Sequence, residues 1–144
     1  MKKAILILFV LFTTSLLAQE EWGNVSKNKV SMKEIGPVWP GCEKGSESER
    51  KNCFNQKLTQ HISKNFKYPA EAYKKNEQGI VVVDFVINDK GLVEIQKVTG
   101  GTKSLQAEAK RNILAMPKMS KPGMLAGKPQ PIKYTVPFNF KTGK

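Results

Sequence analysis

Histidine is almost missing from this 144-residue chain: His61 stands alone, and there are only two cysteines, Cys42 and Cys53. A zinc site takes three or four protein ligands, mostly His and Cys, so a metal would lack partners here. Ten residues, all polar or small, separate the cysteines, which is not the Cys-x-x-Cys spacing of a redox pair. The nucleophile elbow, the glycine-rich phosphate loop, His-Glu-x-x-His and carboxylate pairs at suggestive spacing are all absent. An enzyme is therefore not expected, nor is a cofactor. Acidic residues are also scarce, 12 against 24 basic ones, for a formal net charge of +12. In a cytosolic protein that excess would suggest nucleic acid. The lysines are scattered, however, with no arginine-rich helix and no aromatic-interleaved basic motif. A solvated basic surface is the plain reading, and attraction to anionic envelope polymers or an acidic partner is the sharper one.

Long apolar runs are lacking too. One stretch comes near, Ala4 to Ala18, interrupted by Thr13, Thr14 and Ser15. Lys2 and Lys3 precede it, and Gln19 and Glu20 follow. This is the layout of a secretory signal peptide over residues 1–18, with Ala18 the last residue removed. The alternative is an uncleaved anchor, although a spanning helix needs about 20 apolar residues. No cysteine follows the run to carry a lipid. Export implies an oxidising compartment, where an even pair of cysteines reads as a disulfide, Cys42–Cys53. Such a loop is worth about 3 kcal/mol on the chain-entropy model.

What is present falls into periodic segments. Residues 19–41 have no period and carry Gly36, Pro37, Pro40 and Gly41; they read as an extended leader, with Val38 and Trp39 tucked against the domain. Residues 42–53 read as the disulfide loop, and the domain proper as 54–144. Phe54, Leu58, Ile62 and Phe66 repeat every four residues, an amphipathic helix that Asn52 would cap. His61 borders this stripe and reads as packing rather than catalysis. The helix should stop before Pro69, which suits the first turn of a second short helix ending near Gly79. A hairpin follows. Val81, Val83, Phe85 and Ile87 share one apolar face, Ile80, Val82, Asp84, Val86 and Asn88 share a mixed one, and Asn88 to Gly91 form the turn. Leu92 to Val98 return. Gly100 and Gly101 read as a turn. Ser104 would cap a helix carrying Leu105, Ala109, Ile113 and Met116, and Pro117 ends it. After a Pro- and Gly-rich loop over 117–131, Ile132 to Phe140 alternate strictly. This order predicts an α+β two-layer sandwich, with helices packed on one face of a small three-stranded antiparallel sheet.

Tyr68-Pro69 with Ala72, then Gly79 before a Val-rich strand ending Phe85-x-Ile87, then Asp89-x-Gly91, resemble the C-terminal domain of TonB-type energy transducers. Met116-Pro117 and Gly127-Lys128-Pro129 before Pro137-x-x-Phe140 continue the resemblance in the same order. It covers roughly residues 54–140. The Pro40-Gly41-Cys42-Glu43 stretch and the paired cysteines resemble short versions from Bacteroidetes-type bacteria. Two features depart from a full transducer. The apolar run is short, and no long Pro-rich spacer separates it from the domain. Met119 departs in a smaller way, standing where many members carry an aromatic. The resemblance therefore implies a periplasmic module that binds an outer-membrane TonB-dependent transporter, with motor coupling in doubt.

Pro137 sharpens the expectation. Proline has no N–H, so in a sheet it belongs on an edge strand with its nitrogen turned outward. Lys133, Thr135 and Asn139 should share that direction, and Tyr134, Val136 and Phe138 should bond the inner neighbour. The expected partner-binding residues are Lys133, Thr135, Pro137, Asn139 and Lys141, receiving a peptide by strand addition. Two other roles use the same surface or none of it: self-pairing or adaptor binding through this edge, including a homodimer, and an accessory or inhibitor domain of an enzyme.

Overall fold

The structure, a computed structural model, describes residues 33–143. The expected signal peptide over 1–18 and the leader up to residue 32 lie outside them. The elements are β1 (Glu34–Ile35), α1 (Glu47–Asn65), α2 (Ala70–Lys74), β2 (Gly79–Ile87), β3 (Val93–Thr99), α3 (Lys103–Leu114), β4 (Met124–Leu125), β5 (Lys128–Pro129) and β6 (Ile132–Phe140). They form two antiparallel three-stranded sheets, a main one in the order β3-β2-β6 and a minor one in the order β1-β4-β5. Among the described residues no helix is long and apolar enough to cross a membrane.

The α+β layering follows from the period-two patterns. Val81, Val83, Phe85 and Ile87 of β2 are at most 1% exposed. Directly opposite them on β6 stand Phe138, Val136, Tyr134 and Ile132, and opposed residues share a face. One face of the sheet is therefore a continuous apolar surface. On it α3 packs Leu105, Ala109 and Ile113, all fully buried, against β2 and β3. The β6 side is covered by α1, whose Phe54 stacks on Tyr134 with ring centroids 5.2 Å apart. Phe66 caps α1 and meets Phe140 at 5.0 Å.

The chain leaves α1 around a buried carboxylate. Glu108 accepts from the Lys67 amide at 2.8 Å and from Arg111 Nε at 2.7 Å, while Arg111 donates to the Asn65 carbonyl at 2.6 Å. One ion pair thus caps the end of α1 and fixes the reversal toward Pro69. Tyr68 then donates its hydroxyl proton to the Glu77 carbonyl, joining the residues just before α2 to those just before β2.

Several boundaries differ from the periodic reading. Helix α1 begins at Glu47, not near Asn52. Ser46 caps it: its hydroxyl accepts from the Glu49 amide at 3.3 Å, and the Glu49 carboxylate accepts from the Ser46 amide at 2.6 Å. This reciprocal capping box draws the helix back into the stretch expected as the disulfide loop, so Cys53 sits on α1 and Cys42 before it, bonded to each other. Thr102 rather than Ser104 caps α3, accepting from the Leu105 amide. The return strand starts at Val93 because the Leu92 amide is spent on the Asn88 side chain at 2.9 Å. Its pairing with β2 skips Gln96, a bulge between Lys97 and Ile95. The leader does tuck in, with Val38 4% and Trp39 6% exposed. The loop over 117–131 holds β4 and β5, which join β1 in the minor sheet.

Candidate partner-binding edge

The main sheet ends in β6 on one side and β3 on the other. The β6 edge is the one marked by Pro137. Its register places Pro137 opposite Val82, within nine antiparallel pairs from Gly79–Phe140 to Ile87–Ile132. Residue pairs in such a ladder alternate between those that exchange hydrogen bonds and those that do not. A proline has no N–H to exchange, so Pro137–Val82 is of the second kind. Two residues on in either direction, Thr135–Asp84 and Asn139–Ile80 are of that kind too, as is Val86–Lys133. The backbone N–H and C=O groups of Lys133, Thr135 and Asn139 therefore point away from β2, toward the open edge. Pro137 presents only its carbonyl there. The unbroken run of outward groups lies at the Lys133–Thr135 end.

Side chains follow the other alternation. Lys133, Thr135, Pro137 and Asn139 are all exposed on the face away from the helices. Lys141 is exposed as well but lies one residue past the end of β6, so it extends the row without joining the ladder. Thr135 donates its hydroxyl proton to Asp84 at 2.6 Å, a cross-strand link that holds this register. Of the expected inner residues, Phe138 is buried and Tyr134 and Val136 are half-buried.

Periodicity alone gave no special weight to Tyr134. Its ring lies between Phe54, at 5.2 Å, and Phe85, at 5.5 Å. Burial, with the Glu34 carboxylate as a lesser cause, pushes its phenol above the usual tyrosine range, so it keeps its proton. The leader passes beside it, an added Cβ at Gly36 standing 3.7 Å from the Tyr134 hydroxyl, and nothing in that aperiodic stretch signals the packing.

His61 is used structurally. Its Nε2 lies 2.9 Å from the Asn112 carbonyl and its Nδ1 3.2 Å from the Asn65 amide nitrogen. That pattern fits the tautomer with the proton on Nε2. Among the described residues no three His, Cys, Asp or Glu side chains gather as a metal would require.

Fold and edge together define a small α+β domain whose main sheet ends, at β6, in a row of outward backbone groups. The family description "Gram-negative bacterial TonB protein C-terminal" matches residues 64–142, and the chain belongs to that family. Two NMR solution structures of the Helicobacter pylori TonB C-terminal domain, of different lengths, are similar to it at 22% identity. They cover 63% and 69% of this chain and 96% of their own, with TM-scores of 0.42 and 0.43. No curated protein matches the chain.

Proposed function

We propose that this protein is a periplasmic binding module that captures an extended segment of an outer-membrane TonB-dependent transporter, in transmembrane nutrient transport. The segment adds as a fourth strand beside β6, bonding the outward groups of Lys133, Thr135 and Asn139. The observation that carries this reading is the unshared β6 edge, with Pro137 turned outward in it. Family membership supplies the context of envelope transport. Pro137 and the flanking lysines also guard the edge against indiscriminate pairing, as proline and lysine do on natural edge strands. A partner must therefore match the interruption as well as the ladder.

Capture from envelope extract, with a photo-crosslinker in place of Asn139, tests this. Crosslinked outer-membrane transporters are the expected product. Recovery of second copies of this chain alone would replace the transporter by self-pairing through the same edge.

A further inference from the structure

On its helix side, the β6 edge opens into a recess of about 270 Å³. Its floor is β6 from Ile132 to Tyr134, and its walls are the first turns of α1 and the leader around β1. The walls are held to each other by the Cys42–Cys53 bond and by Trp39, whose ring meets Phe54 edge-on at 5.7 Å. The residues shared with the family begin at 64. Both walls therefore lie outside that span, and only the floor lies within it.

The recess carries surplus positive charge. Glu47 is already paired with Lys33 at 2.6 Å. That leaves Glu34 as the one other acid in the lining, with Arg50 and Lys51 as its side-chain cations. Among the described residues neither of these two cations has an ion-pair partner. Arg50 donates once, to the Gly45 carbonyl at 2.6 Å, and keeps its other donors. The protonated Tyr134 hydroxyl adds a neutral donor.

The geometry of strand addition leads into this space. A residue laid opposite Tyr134 must share Tyr134's face of the sheet, which is the helix side. The outward backbone groups of Lys133 and Thr135 flank that position, and the ladder is unbroken there. We propose that the recess is a side-chain pocket that reads one acidic residue, aspartate or glutamate, on the strand added to β6. The proposal rests on the strand-addition reading and adds the chemistry of the partner to it. The carboxylate meets the cations and the Tyr134 hydroxyl, and its methylenes lie against Phe54.

The test uses the full ¹⁵N-labelled chain and three short synthetic peptides of alternating threonine and valine. One central valine is replaced by Glu, Gln or Lys. Shifts of the Lys133 and Thr135 amides report strand addition, and titration gives affinity. The Glu peptide should bind about tenfold tighter than the Gln peptide, the scale of one close interfacial charge pair, with Lys weakest. Lys51→Glu should narrow this order, and Arg50→Glu with Lys51→Glu should reverse it; melting curves establish that both variants fold. Equal affinities, with shifts at Lys133 and Thr135, would overturn the pocket and leave strand addition standing. A Glu preference that survives both variants would also overturn it, by assigning the preference to overall charge. If no peptide moves those amides, the pocket and the strand-addition reading fall together.

Discussion

Glu49 closes the first turn of α1 from both directions. The Ser46 amide, and secondarily the Ser46 hydroxyl, hold its carboxyl below the usual carboxylate range. The sign of the pH dependence follows. A carboxyl whose folded-state pKa is depressed stabilises the fold at pH values above its unfolded pKa, and that contribution is lost as the pH falls through the lowered value. Glu49→Ala should therefore lower the melting temperature at neutral pH, and lower it less at an acid pH below the depressed value. Melts at the two pH values decide it, and a gap that stays constant would show that the charge is not the cause. Glu49→Gln should fall between, since glutamine keeps an acceptor in the box. The Ser-x-x-Glu spelling of this cap is legible in the sequence. It is hidden from a search for apolar periods because residues 46–52 bury nothing fully. The same blindness set Ser104 in place of Thr102. Two hydroxyl residues near a helix start look alike until the chain shows which one keeps the extended conformation.

At the scale of elements, β6 makes the sharpest claim. Replacing Thr135 by proline removes an outward donor and the exposed bond to Asp84, a loss of about 1 kcal/mol. The fold should survive while binding of all extended peptides weakens. Replacing Val136 by proline removes a donor directed at β2 and should cost about 3 kcal/mol or more. Thermal melts and the same titrations on both variants check this, and the opposite ranking of stabilities would mean that the strand's orientation is reversed. That orientation was legible because nine strictly alternating residues and one proline leave a single arrangement. The strands β1, β4 and β5 were not legible, since two residues carry no period. The turn between β4 and β5 even uses Ala126 at φ 51 ahead of Gly127 at φ 77, and alanine there gives no advance sign of a left-handed turn. The leader wall of the recess depends on β1 and the helix wall on the unread start of α1. Half of the candidate site, the edge, could thus be read from the sequence, and the other half could not.

At the scale of the whole molecule, the disulfide joins the leader to a domain that has its own core. Cys42→Ser with Cys53→Ser should lower stability by about 3 kcal/mol, the entropy of an eleven-residue loop, leaving the main sheet folded. Denaturant titration measures the difference, and labelling of the unfolded, unreduced parent should find no free thiol. The two sheets differ in another respect. β6 meets β2 over nine consecutive pairs, whereas β1 meets β4 over two. A tension applied along β6 loads its whole ladder at once, in shear, so no pair parts before the others. A tension applied across it opens the pairs one after another, like a zip. The strand addition proposed above would obey the same rule, gripping a partner hardest when it is drawn along the strand axis and releasing it most easily when it is drawn sideways.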